Sequence, residues 1–174
     1  MRLDTEMAFA ARLADAAGAA IRPYFRAEFG LESKADATPV TLADRAAETA
    51  IRALLEAERP GDGIIGEEYG SVRDDASRQW VIDPIDGTTS FVAGRPIFGT
   101  LIALLQDGWP VLGVIDQPYI GERFVATGRI SVSGLLLGLH GGVFVLCTLW
   151  LLKRHHNISL RGWLRGLKSG GSEP

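Results

Sequence analysis

The segment at residues 80–91, WVIDPIDGTTSF, constrains the fold most, because it joins an apolar run to two aspartates three positions apart. Residues 79–82 predict a strand. Pro84 has a fixed φ and no N–H, and it therefore predicts a sharp turn directly after that strand. Such a turn can direct Asp83 and Asp86 toward one point. Two carboxylates so close repel each other, and one of them holds its proton unless a cation lies between them.

The chemistry that suits this arrangement is cation binding. A hard divalent ion such as Mg²⁺ prefers oxygen ligands and fits a pair of carboxylates. Gly87 permits close approach of the backbone to a ligand, and the N–H groups of Gly87 and Thr88 can bind a phosphate if a helix begins there. Together these features indicate metal-assisted phosphate hydrolysis. The alternative is a surface turn with solvated aspartates, since Asp, Pro and Gly are common turn residues.

The rest of the chain supplies two long helices followed by short strands. Apolar residues at helical spacing predict helices over residues 4–25 and 41–58, the second ended by Pro60-Gly61. Other segments predict short strands and a polar loop: strands at residues 31–34, 62–65 and 123–126, a hairpin of 100–106 with 111–116 around Asp107-Gly108, and a loop at 71–78. Helices first and mostly adjacent strands afterwards predict a mixed α and β layered domain.

Two further motifs carry acidic side chains. Residues 66–68, GEE, end a predicted strand, and residues 34–44 read KADATPVTLAD. A glutamate pair is commonly a solvated surface. Asp44 falls in the first turn of a helix, where the helix dipole favours an acid in any case. Neither motif indicates catalysis by itself.

Together, the three segments resemble the inositol monophosphatase superfamily. Its marks are a K-x(n)-P-V-T-x-A-D segment, a G-E-E turn and W-[IV]-[IL]-D-P-[IL]-D-G-T, all present here in that order. The resemblance covers about residues 5–126, and residues 94–126 are most similar to the bacterial histidinol-phosphatase branch. It implies an α+β fold, a layered α/β sandwich. It also implies Mg²⁺-dependent hydrolysis of a small phosphomonoester: histidinol phosphate in histidine biosynthesis or, as the alternative, an inositol phosphate.

The resemblance also implies the roles of particular residues. Four groups match the metal ligands of the family: Glu67, Asp83, the carbonyl of Ile85, and Asp86, which would bridge two Mg²⁺ ions. Three residues match the groups that bind the substrate phosphate: Asp86, Gly87 and Thr88.

The catalytic groups follow from the same comparison of motifs. Glu67 and the Asp44–Thr88 pair match the residues that orient and activate the attacking water, so no covalent phosphoenzyme is implied. Lys34 matches a lysine near the mobile metal loop, with a weaker role. Members of the family are usually homodimers, and the resemblance implies the same assembly here.

Charge and cysteine content limit the possible binding partners and indicate the cellular compartment. Residues 1–129 carry a net charge of −7 and residues 130–174 one of +4, within a total of −3. An acidic body gives no support for nucleic-acid binding, which needs basic surface. The single cysteine, Cys147, cannot form an internal disulfide, which suits a reducing compartment. No signal peptide is recognisable at the N-terminus, so we expect a cytoplasmic protein.

The chain departs from the family after Ala126. The family motifs W-D-x-A-A, whose aspartate is a further metal ligand, and E-A-G-G are absent, and no tryptophan precedes an aspartate. We therefore expect an N-terminal domain at residues 1–126, a fold truncated after it, an incomplete metal site and impaired activity.

Residues 127–174 form an apolar and basic tail unrelated to the family. Residues 130–152 contain no Asp, Glu, Lys or Arg, and KRHH follows at once. Three interpretations are open: a frameshifted reading frame, a membrane anchor with its basic flank in the cytoplasm, or a rebuilt soluble core element. With an anchor, the chain would be a membrane-tethered, non-catalytic remnant that keeps binding or dimerisation surfaces. His155-His156 reads as a solvated basic flank, because no partner stands at ligand spacing.

Overall fold

The computed structural model describes residues 3–27, 31–33 and 39–127, and for 31–33 and 39–41 it describes the backbone alone. Within these ranges there are three α-helices and a 3-10 turn: α1 at Leu3–Ile21, the turn at Arg22–Tyr24, α2 at Leu42–Glu58 and α3 at Thr88–Val92. Alanines fill α1 and α2, and alanine has the best helix propensity. The helix gives way to the 3-10 turn where Pro23 cannot donate an N–H.

The strands form a large sheet and a small one. A two-stranded antiparallel sheet pairs β1 (Leu31–Ser33) with β2 (Pro39–Thr41). The six-stranded sheet contains β3 (Gly63–Gly66), β4 (Gly70–Val72), β5 (Arg78–Asp86), β6 (Gly99–Gln106), β7 (Trp109–Gln117) and β8 (Glu122–Thr127). Its order is β4-β3-β5-β6-β7-β8, and only the β3–β5 pair is parallel. The parallel pair therefore lies inside the sheet.

The main core lies between the sheet and helices α1 and α2. Trp80 and Ile82 of β5 point into it, and Phe9 of α1 meets the Trp80 ring edge-on at 5.5 Å. Val81, between them, belongs to a separate apolar cluster on the other face of the sheet, with partners Ile65, Leu101, Ala103 and Leu105. Because successive residues of a strand point to opposite faces, both faces of the central strands are apolar.

Most of the predicted elements are confirmed: both long helices, the hairpin of β6 with β7, and the strands at β1, β3 and β8. Two short strands were not predicted. β2 lies within the motif at residues 34–44. β4 overlaps the segment expected to be a polar loop, where Ser71 and Val72 pair with Ile65 and Ile64. The loop prediction was wrong there because a three-residue strand with exposed side chains has no hydrophobic period to reveal it.

The sharp turn predicted at Pro84 is also wrong. The strand does not end at residue 82. β5 continues to Asp86, and the pairing with β6 shifts register between Asp83 and Asp86. A bulge tolerates proline because it removes the need for a ladder hydrogen bond at that position. The chain therefore bends within the strand, and both aspartates stay part of the sheet.

Some predictions fall outside the described residues. Lys34 does, and so does the segment at 130–152, together with Cys147 and the three histidines. Within the described ranges, no helix has the length and apolar character needed to cross a membrane.

Candidate functional site

The parallel pairing of β3 with β5 places two acidic residues side by side. Gly66 pairs with Ile82, so Glu67, which directly follows β3, and Asp83, which lies within β5, are neighbours at the same end of the parallel pair. The N–H of Glu67 donates to the carbonyl of Ile82 at 3.2 Å, which fixes this register. The sequence motifs GEE and DPID meet because β3 and β5 are parallel neighbours in the sheet. This contact depends on the order of the strands and not on any local sequence pattern.

Asp83 is fully buried, with 0% of its surface exposed. Within the described part of the chain, neither of its carboxylate oxygens has a hydrogen-bond partner. Burial raises the pKa of this carboxyl well above its ordinary value, and the neighbouring Glu67 raises the pKa further, first through its negative charge and then through a side-chain interaction that favours the protonated form of Asp83. Asp86 and Asp44 add smaller effects in the same direction. The four predicted acidic residues thus share one electrostatic environment, and the solvated-turn interpretation is wrong for Asp83.

Asp44 reaches this environment from α2. It lies in the first turn of that helix, as predicted, but it is buried rather than solvated. Glu67 and Asp86 are half-buried. The site is therefore built from the start of one helix and the ends of two parallel strands. Such an accumulation of negative charge is unfavourable without a compensating cation.

Two threonines hold the bulge of β5. The buried hydroxyl of Thr100 donates to the carbonyl of Pro84 at 2.8 Å. The hydroxyl of Thr88 donates to the carbonyl of Ile85 at 3.0 Å. The predicted pairing of Thr88 with Asp44 competes with the second bond, because a hydroxyl has a single proton. In this conformation that proton is directed to the Ile85 carbonyl, which is itself a predicted ligand group.

Gly87 makes the connection from β5 to α3. Its φ is +91°, in the left-handed region that favours glycine. A Cβ at this position would lie 3.2 Å from the carbonyl oxygen of Ile97, which is tighter than ordinary contact. The Gly87 carbonyl accepts the N–H groups of Ser90 and Phe91, and α3 begins at Thr88. The backbone at Gly87 is exposed, so a ligand can approach it.

Sequence reasoning missed Glu48, a buried residue of α2. Its carboxylate accepts the N–H groups of Glu68 at 2.7 Å and Tyr69 at 3.2 Å, and it pairs with Arg52 at 2.8 Å. The available signal was spacing, since Glu48 and Arg52 follow Asp44 at intervals of four residues on one helix face. An i,i+4 pair of opposite charge is typical of a solvated helix surface, so this spacing does not by itself reveal that Glu48 is buried.

The donor set is suited to a hard cation. It consists of carboxylate and carbonyl oxygens, which are the ligands that Mg²⁺ prefers. The strongest sign is that the two oxygens of Asp83 have no partner in the described part of the chain, because buried polar atoms normally have partners. Among the residues described, no three Asp, Glu, His or Cys side chains are gathered into a ready-made metal site. The carboxylate and carbonyl oxygens of the site are therefore of the type that binds a cation, but they do not form a complete coordination shell.

Comparison with known proteins agrees with this picture. The profile of the inositol monophosphatase family matches residues 2–162, a range that continues beyond Ala126. The chloroplastic bifunctional phosphatase IMPL2 of Arabidopsis thaliana is 49% identical over 136 residues, covering 76% of this chain and 39% of that protein. The histidinol-phosphatase of Mycobacterium tuberculosis is 46% identical over 134 residues, covering 74% of this chain and 52% of the relative.

A solved structure gives the same result. An inositol monophosphatase from Zymomonas mobilis is 55% identical with a TM-score of 0.62, and the match covers 73% of this chain and 49% of that one. The chain spans about half the length of the relatives it matches, or less. The domain boundary at residue 126 stays a prediction. The predicted layered α+β fold is confirmed, and the chain belongs to the inositol monophosphatase family.

Proposed function

We propose that this chain hydrolyses small phosphomonoesters with the help of Mg²⁺. The observation that carries the proposal is the fully buried Asp83 carboxylate, whose two oxygens have no hydrogen-bond partner among the described residues and lie beside the charges of Glu67 and Asp86. A buried carboxylate without a partner is unfavourable unless it takes up a proton or a cation binds to it. Membership of a family of phosphatases supports the same reaction class.

Four groups would hold the metal, and they are oxygen donors: Glu67, Asp83, the carbonyl of Ile85, and Asp86. When bound, a divalent cation would increase the acidity of a nearby water and neutralise charge on the leaving oxygen. The protein's own task is to keep these donors fixed. The bulge held by Thr100 does this for Asp83 and Asp86, because it fixes the backbone between them.

The substrate and the attacking water would meet the remaining residues. The exposed backbone of Gly87 and the backbone of the half-buried Thr88, with Asp86 beside them, would bind the phosphate. Glu67 would accept a proton from the attacking water, and Asp44 with Thr88 would orient that water. For Thr88 this requires its hydroxyl to turn from the Ile85 carbonyl, a rotation about one side-chain bond.

Histidinol phosphate is the proposed substrate, and an inositol phosphate is the alternative. Support for the first comes from the identity to a histidinol-phosphatase, and support for the second from the identity to an inositol monophosphatase. Following the family resemblance, we further propose a homodimer that works in the cytoplasm.

The test is phosphate release from histidinol phosphate and from inositol 1-phosphate by the purified chain, with Mg²⁺ and with EDTA. Because the W-D-x-A-A motif with its further carboxylate is absent from this sequence, we expect Mg²⁺-dependent turnover far slower than that of a relative that contains the motif. Asp83→Asn should abolish it, whereas Asp107→Asn, in the β6–β7 turn, should not. Release that persists in EDTA or in Asp83→Asn would overturn the proposed site. Turnover equal to that of a full-length relative would overturn the expected impairment.

A further inference from the structure

The turn at residues 67–69, which carries Glu67, is held by two residues of helix α2. Both oxygens of Glu48 accept N–H groups of this turn, from Glu68 at 2.7 Å and from Tyr69 at 3.2 Å. Arg52 donates to Glu48 at 2.8 Å and also to the carbonyl of Gly70, where β4 begins. The Glu48–Arg52 pair therefore binds the backbone of three successive residues, 68 to 70.

The close approach of this pair explains the glycine that precedes Glu67. A Cβ at Gly66 would lie 2.5 Å from Cδ of Glu48 and 2.7 Å from Nη2 of Arg52, far inside contact distance. Glu48 is completely buried, with 0% of its surface exposed. Its charge is compensated by Arg52 and by two backbone donors, which together offset the cost of removing a carboxylate from water.

The position of the pair on α2 links it to the site. Asp44, Glu48 and Arg52 are spaced by four residues and therefore share one face of the helix. Asp44 contributes to the charge around Asp83, while the pair one turn later holds the loop of Glu67. A single rigid face thus sets two parts of the site relative to each other.

We propose that the Glu48–Arg52 pair is a positioning device that sets Glu67 beside Asp83 for cation binding; this inference rests on the proposed function. The N–H of Glu67 donates to the Ile82 carbonyl, which fixes one side of the turn. The N–H groups of Glu68 and Tyr69, bound to Glu48, fix the other. Without Glu48, the Glu67 carboxylate loses its orientation although no metal ligand has been removed.

The test compares Glu48→Gln with Glu56→Gln. Glu56 lies on the same helix and pairs with Arg73 at 2.7 Å on the surface, so it controls for loss of an ion pair. Hydrogen exchange is measured at the amides of residues 68 and 69, and Mn²⁺ binding by the EPR signal of the free ion. In Glu48→Gln we expect about a tenfold rise in both exchange rates and about a tenfold loss of Mn²⁺ affinity, the effect of one hydrogen bond to a charged group. Glu56→Gln should change neither.

The outcomes separate this inference from the proposed function. If the unaltered chain binds no Mn²⁺, or if Asp83→Asn binds it equally well, the proposed function fails and the positioning role fails with it. If Mn²⁺ binding requires Asp83 but Glu48→Gln leaves it unchanged, only the positioning role is overturned. Should Glu48→Gln not fold, Arg52→Met, which keeps the aliphatic stem, is expected to weaken Mn²⁺ binding, and unchanged affinity there overturns the inference.

Discussion

At the scale of single residues, the ionised form of Asp83 destabilises the metal-free fold, although the proposed cation binding requires that form. Its carboxylate is buried, has no hydrogen-bond partner among the described residues, and is surrounded by like charges. Each of these conditions disfavours the ionised form, and ionised carboxylates are what a divalent cation requires. An ionised Asp83 therefore lowers the free energy of unfolding of the protein as long as no cation is bound.

The raised pKa of Asp83 gives the pH dependence a definite sign. Between the unfolded and folded pKa values, the native state binds more protons than the unfolded state. The contribution of Asp83 to the free energy of unfolding therefore falls as pH rises, by at most about 1.4 kcal/mol per pH unit. In EDTA, as pH rises above the ordinary pKa of an aspartate, Asp83→Asn should gain stability relative to the unaltered chain.

Urea unfolding at several pH values in that range measures this difference. Titrating groups outside the site are common to both proteins, so they cancel in the comparison. Glu67→Gln serves as a second check, because it removes the neighbouring charge with the largest effect on Asp83 and should reduce the slope. Parallel stability curves for the unaltered chain and Asp83→Asn would contradict the prediction.

Gly87 is the second residue whose identity the structure requires. Gly87→Ala should lower the free energy of unfolding by about 1–2 kcal/mol for its positive φ, and by more because its Cβ would crowd the Ile97 carbonyl. Gly121→Ala is the matched control, since Gly121 has a φ of +81° and a Cβ added there would meet nothing within 4 Å. Chemical denaturation should show a larger loss for Gly87→Ala, and equal losses would mean that crowding contributes nothing.

The acidic residues of the site could be predicted from the sequence, whereas Glu48, which holds the turn that carries Glu67, could not. Asp83 and Asp86 stand out because an apolar strand ends in them. Glu48 does not, because a glutamate in a helix with an arginine four residues later is typical of a solvated surface. Its burial depends on where the β3–β4 connection lies against α2, which is a long-range contact that no local pattern contains.

At the scale of secondary-structure elements, β5 and β6 form the support of the site. Their pairing is regular from Arg78 to Asp83 and resumes at Asp86, so the bulge lies between two paired positions of the sheet. Proline was expected to end the strand because it cannot donate to a ladder. The structure shows how the strand continues: Thr100 of β6 satisfies the Pro84 carbonyl with its side chain. The two long helices were easier to predict, since their spacing is a local property.

The side-chain bond across this pair can be tested directly. Thr100→Val keeps the size and the strand preference of the side chain but leaves the buried Pro84 carbonyl without its donor. We expect a loss of about 1–3 kcal/mol in the free energy of unfolding, the cost of an unsatisfied buried polar group. Thr49→Val is the control, because the exposed Thr49 hydroxyl donates to the Arg45 carbonyl within α2. Equal urea midpoints for the two variants would show that the bulge does not depend on Thr100.

At the scale of the whole molecule, helices α1 and α2 cover one face of the described sheet, and the sheet has an edge strand at each end. Arg123 ties β8 to the rest of the fold, because it donates to Asp116 of β7 and to Asp15 of α1, both at 2.7 Å. The outer strands are β8 at one end and β4 at the other. The sequence predicted β8 but not β4, and it could not predict the strand order, because that order is set by long-range pairing.

The β8 edge carries an apolar surface. Phe124 is 53% exposed and Val125 is 41% exposed, on a strand with no further described neighbour. Exposed apolar edge strands promote association between chains, and a lysine on such an edge opposes it. Phe124→Lys should therefore shift the chain toward smaller species in sedimentation velocity across a concentration series, while changing the free energy of unfolding by less than about 0.5 kcal/mol. Met7→Lys, at a half-exposed apolar position on α1, should leave the size distribution unchanged. A distribution that shifts equally in both variants would mean that added charge, rather than the β8 edge, controls association.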